Sequence, residues 1–213
     1  MKSACENVVL IHGIWTRGWE VMLLKRRFAK EGFNTFAFSY PTLSKSVEEN
    51  ALALWKFIRK RVGEEGVCLV GHSYGGLIAC VMMNNMASGT LSRSFKVDRC
   101  IFLGTPIQGS SVAKHLSTWL PFRLVTGKSL PALKNGCKLQ ATRVETLMVA
   151  GSVNIGLGMF FIDKGDGVVA TEETMARWLT AHCSFKVTHL GLVLSKKVAE
   201  TCIKFLRGQS SCV

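Results

Sequence analysis

Val67-Cys68-Leu69-Val70-Gly71-His72-Ser73-Tyr74-Gly75-Gly76 is the stretch that decides the fold. Val67–Val70 is short, apolar and suited to a strand buried on both faces. Gly71-His72-Ser73-Tyr74-Gly75 follows, with a glycine two places either side of a serine. An apolar helical pattern then runs to about Ala87. A strand that turns at once into a helix leaves little room at the corner, and side chains two places either side of the serine would collide across it. The serine at the tip is held in a strained conformation that exposes its hydroxyl, as a nucleophile requires.

Outward from this turn, strands and helices alternate, which predicts a mostly parallel sheet of about six strands with helices on both faces. Val8–Ile11 is the first strand, followed by a helix from about Trp19 to Lys30 that Gly32 ends. Phe33–Ser39 is the second strand. Ser46 and Glu49 form a capping-box pattern before a helix that carries Ala51, Leu54, Trp55, Ile58 and Val62 on one face. Beyond the turn come strands at Val97–Leu103, Val144–Ala150 and Ser184–Thr188, then a last helix with Val198, Cys202 and Phe205 inward. Gly208–Val213 reads as a frayed tail. The whole chain, 1–213, fits one α/β domain. The stretch from Ile107 to Lys138 breaks the rhythm, being too apolar for a plain loop and interrupted by Pro121 and Pro131.

The formal charge is +13. Between Cys100 and Val144 stand six basic residues and no acidic one, a local field that suits an anionic partner such as a phospholipid surface. Nucleic acid is disfavoured, because no recognition motif accompanies the charge. Met1–Asn7 has one lysine and no apolar run, so it does not read as a secretion signal. No apolar run reaches the roughly 18 residues of a membrane span. The eight cysteines form no C-x-x-C pair or cluster with histidine. Most read as small buried hydrophobes in a reducing, cytoplasmic compartment, with any membrane contact peripheral. No metal or other cofactor is expected.

A serine hydroxyl needs a base. Of His12, His72, His115, His182 and His189, the last follows the final strand, where open α/β sheets gather their sites. His182 precedes that strand, His115 lies in the irregular stretch, and the side chain of His72 diverges from that of its neighbour Ser73. Asp166, in Gly165-Asp166-Gly167, follows the fifth strand and is preferred to Asp163 as the carboxylate that orients the base. The order Ser, Asp, His results. Two backbone donors are expected for an oxyanion, the N–H groups of Tyr74 and of Ile14 in His12-Gly13-Ile14-Trp15, with His12 bracing that loop.

Together Val8–Trp15, Leu69–Gly76, Leu103-Gly104-Thr105-Pro106, Gly165–Val169 and His189-Leu190-Gly191 resemble the α/β-hydrolase superfamily, in its compact lipase and esterase branch. The resemblance implies the α/β-hydrolase fold and cleavage of carboxylic esters by Ser73, Asp166 and His189, with Ile14 and Tyr74 as backbone donors. It also implies that Leu103–Pro106 leads into a substrate-covering region. On that basis Trp15, Leu116, Trp119, Leu120, Phe122 and Leu124 are the expected lining of an acyl pocket, and Lys114, Arg123 and Lys128 would face anionic head groups. A thioesterase or acyltransferase using the same triad, and a non-catalytic relative that binds lipid or protein, are the alternatives.

Overall fold

The computed structural model describes residues 6–140, 143–156 and 160–210. Its strands are β1 (Asn7–Ile11), β2 (Asn34–Phe38), β3 (Val67–His72), β4 (Val97–Leu103), β5 (Glu145–Gly151) and β6 (Ala181–Phe185). They form one sheet in the order β2-β1-β3-β4-β5-β6, with every neighbouring pair parallel. The order reverses at β1, and open α/β sheets gather their sites beside such a reversal, at the carboxyl ends of the strands.

Alternation along each strand feeds two cores. Val9, Ile11, Leu69, Phe102 and Met148 face one side, where they meet helices α2 (Val47–Arg61) and α3 (Tyr74–Ala87). Val8, Leu10, Val70, Ile101, Leu103 and Val149 face the other, against α1 (Met22–Lys30) and the C-terminal helix described below. Apolar residues at both parities are what a sheet covered on two faces requires. The capping box forms as read: the Ser46 hydroxyl accepts from the Glu49 N–H at 3.3 Å, and Glu49 Oε2 accepts from the Ser46 N–H at 2.8 Å.

The irregular stretch folds into three short helices, α4 (Ser111–Leu116), α5 (Leu120–Thr126) and α6 (Leu130–Asn135). Pro121 and Pro131 sit in the first turns of α5 and α6, where a missing N–H costs nothing. After β6 come α7 (Gly191–Leu194) and α8 (Lys196–Leu206).

Most strand ends shift by a residue or two from the sequence reading, and three differences are larger. The last strand is Ala181–Phe185 and not Ser184–Thr188, because pairing with β5 ends at Phe185 and the Val187 N–H turns back to the Phe185 carbonyl at 2.8 Å. The first helix starts at Met22, since Trp19 and Met22 close turns onto Thr16 and Trp19. The Gly208 and Gln209 N–H groups donate to the Phe205 and Lys204 carbonyls and close the end of α8, so the described part of the tail is tied down, while 211–213 lie outside the described residues.

Cys80, Cys100, Cys137 and Cys202 are free thiols. Burial pushes Cys202 up to about 12 and Cys100 upward too, which makes both inert at neutral pH. Cys68 and Cys183, by contrast, are disulfide-bonded, which departs from the expectation of a chain held reduced. Cys5 and Cys212 lie outside the described residues. No helix among the described residues is long and apolar enough to cross a membrane.

Candidate active site

Ser73 sits between β3 and α3 with φ 52° and ψ −122°, a conformation that L-residues rarely adopt. Three contacts hold it there. Its N–H donates to the Leu103 carbonyl at 2.8 Å, tying the turn to the end of β4. A Cβ on Gly71 would come within 2.5 Å of Gly76 Cα, and one on Gly75 would run into the carbonyls of Ile11 and His12. The glycine spacing is therefore a packing requirement on both sides of the serine.

The loop after β5 carries Asp166, which is 1% exposed. Oδ1 accepts the N–H groups of Val168 (3.0 Å) and Val169 (2.8 Å), and Oδ2 accepts His189 Nδ1 at 2.7 Å. The Asp166 carbonyl also accepts the His189 N–H at 2.8 Å, so backbone and side chain fix the imidazole together. With Nδ1 donating, Nε2 is left as the basic nitrogen. Asp163 is exposed to solvent. Gly104, at φ 54° after β4, makes room for the pair: a Cβ there would lie 2.9 Å from Asp166 Oδ2 and 3.0 Å from His189 Nδ1. Since Gly104 follows Leu103, to which Ser73 is bonded, the serine turn and the Asp166–His189 pair share one corner of the sheet.

The loop after β1 closes the corner from the other side. Its Gly13 is packed so closely that a Cβ would lie 3.3 Å from Ser73 Cβ. His12 is fully buried, bonds Gly13 O through Nδ1 at 2.7 Å and stacks on Tyr40 at 4.2 Å. Tyr40 donates its hydroxyl to the His12 carbonyl at 2.6 Å. Burial lowers the pKa of His12 in spite of that Gly13 contact, so it is a neutral brace. Ile14 follows, packed on the core, and Tyr74 opens α3. His182 is bonded to Thr174 at 2.9 Å, and His115 stacks on Phe161; among the described residues neither contacts this corner.

The expected pocket residues divide. Phe122 packs on the core and Leu116 is half-buried. Trp119, Leu120 and Leu124 are 59%, 61% and 70% exposed, and Trp15 is exposed as well. Trp15 Nε1 donates to the Val125 carbonyl at 2.5 Å, which fastens the β1 loop to α5. Lys114 and Arg123 are exposed, whereas Lys128 pairs with Glu49 at 3.6 Å.

One pair escaped the sequence reading. Glu20 and His72 are 2% and 3% exposed and meet at 2.7 Å, from Glu20 Oε1 to His72 Nδ1. Glu20 lies in what reads as the first turn of a helix, and its partner is 52 positions away. No local pattern announces the contact.

The protein family described as Domain of unknown function (DUF7379) matches residues 3–128. The chain belongs to that family. The DUF7379 match spans the β1 loop, the serine turn, β4 and the first part of the 107–138 stretch; Asp166 and His189 lie beyond it. No curated protein matches the chain. Among solved structures, the mature form of lipase BlEst2 from Bacillus licheniformis is similar at TM-score 0.78 and 19% identity, over 97% of this chain and 94% of that one. The metagenomic carboxyl esterase MGS0156 is similar at TM-score 0.68 and 14% identity, over 90% and 67%. Phospholipase PlaB from Legionella pneumophila is similar at TM-score 0.68 and 16% identity, over 96% and 58%. The fold is thus the α/β-hydrolase fold.

Proposed function

We propose that this DUF7379 chain is a serine hydrolase that cleaves carboxylic esters through an acyl-enzyme. The observation that carries the reading is the part-buried Asp166–His189 hydrogen bond of 2.7 Å, together with a serine held at φ 52° in the turn after β3. Ser73 Oγ attacks the ester carbonyl carbon as its proton passes to His189 Nε2. The tetrahedral oxyanion is taken by the N–H groups of Ile14 and Tyr74. His189 returns the proton to the leaving alcohol, and water repeats the sequence to free the acid from Ser73. Asp166 keeps Nδ1 protonated and stabilises the imidazolium formed in each half. The lipase, esterase and phospholipase names of the structural neighbours agree with this reading.

The 107–138 stretch acts as the cover and acyl site. Phe122 and Leu116 offer apolar surface toward the molecule, while Trp119, Leu120 and Leu124 stand outward between Lys114 and Arg123. Apolar side chains among cations suit an anionic lipid surface. A panel of nitrophenyl esters of increasing chain length tests the proposal. Wild type is expected to turn over the longer esters faster, with a further rise on anionic vesicles that salt removes. Turnover unchanged in Ser73→Ala would overturn the hydrolase reading, and equal rates along the panel would overturn the acyl site.

A further inference from the structure

Glu20 and His72 have no part in the chemistry just described, yet burying a carboxylate is costly unless it is used. Its contacts show what it joins. Glu20 Oε1 accepts the Gly13 N–H at 2.6 Å and lies 2.7 Å from His72 Nδ1. His72 Nε2 lies 3.2 Å from the backbone carbonyl of His189, and the two rings stand 4.7 Å apart. Both nitrogens of His72 thus face oxygen acceptors. A continuous chain of polar contacts, Gly13 to Glu20 to His72 to His189, links the β1 loop and the base loop through the serine turn.

We propose that Glu20 and His72 are positioning residues: they fix the loop that presents the Ile14 N–H and the backbone that carries His189, relative to Ser73. This rests on the reading of Ser73 as nucleophile. Burial alone would raise the pKa of Glu20, but the hydrogen bond and charge of His72, with the Gly13 amide, bring it below the ordinary value, so the carboxylate is ionised. The other groups that face the pair are His12 and Thr16. Because one carboxylate oxygen serves both loops, a change at either residue is felt at both the oxyanion site and the base.

Three full-length variants test this with a nitrophenyl ester, kcat and KM being measured separately beside thermal melting. Glu20→Gln is expected to lower kcat about 100-fold with KM within about twofold, the scale of a small misplacement of reacting groups. His72→Asn keeps a group near the Nδ1 position but not near Nε2, and is expected to lose about tenfold in kcat. His72→Gln reaches toward the Nε2 position, and should recover part of that loss. Should Glu20→Gln fail to fold, the comparison of His72→Asn with His72→Gln decides alone. A kcat within about twofold of wild type in the folded variants, or losses that follow melting temperature and not the retained contact, would overturn the positioning role. Ser73→Ala, run in parallel, separates the two claims. Turnover that survives it removes the nucleophile reading and this inference with it. Turnover that dies with Ser73 but ignores His72 removes this inference alone.

Discussion

Asp166 is 1% exposed and Leu124 is 70% exposed, although each follows a strand of the same sheet. Both oxygens of Asp166 are occupied by hydrogen bonds of 2.7–3.0 Å. Leu124 belongs to a seven-residue helix whose one fully buried side chain is Thr126. The Asp166 and His12 loops are fixed by hydrogen bonds in a buried corner, where geometry is tightly set. Within the 107–138 stretch, Ile107, Ala113, Ala132 and Leu133 are anchored in the core, whereas α5 is held at few places, by Phe122 on the core and Trp15 on Val125. The lesson is one of division: the Asp166 and His189 contacts are buried or nearly so, and α5, which we propose meets the substrate, keeps its apolar surface outside.

Variants in the two regions should therefore fail differently. Ser73→Ala and His189→Ala should each lower ester kcat by about a million-fold, with melting temperature nearly unchanged; steady-state kinetics and thermal melts read both. Asp166→Asn should cost about 10,000-fold, since the imidazole loses its tautomer and its counter-charge. Gly104→Ala should cost activity and about 1–3 kcal/mol of stability in denaturant titrations, because the new methyl meets Leu192 at 2.7 Å and crowds the acid–base pair. In the covering stretch, Leu120→Ser and Leu124→Ser should change stability by no more than about 0.5 kcal/mol. They should lower turnover of long-chain esters several-fold and leave short ones alone. A large stability loss in these variants would erase the contrast.

Acid provides a smaller test of the buried side. Burial lowers the pKa of both His12 and His182 from the ordinary 6.5. Above that value neither the folded nor the unfolded chain binds the proton. Below it the unfolded chain takes up protons that the folded one resists, so stability falls as pH drops. Melting temperature should decline from pH 6.5 downward, and His182→Gln should flatten part of the slope.

How much of this could be read in advance follows from range. The serine turn is a local pattern, and the strands around it are short apolar runs, so the turn and the sheet were legible. The Asp166–His189 contact agrees with the expectation that the two loops after the last strands meet, and the His12 contacts with its place in the loop. Glu20 was not legible, because a carboxylate at the start of a helix ordinarily faces water and only the tertiary fold brings it to His72. The pairing of Ala181–Phe185 was missed for the same reason, since its end is set by β5. The exposure of Trp119, Leu120 and Leu124 was hidden too, because an apolar residue carries no mark of which way it will face.

The most direct measurement is reaction with a fluorophosphonate, followed by mass spectrometry of the labelled peptide. The account predicts one adduct, on Ser73, absent in Ser73→Ala and formed far more slowly in His189→Ala. No adduct on the folded wild-type chain, or labelling that persists at full rate in Ser73→Ala, would contradict it.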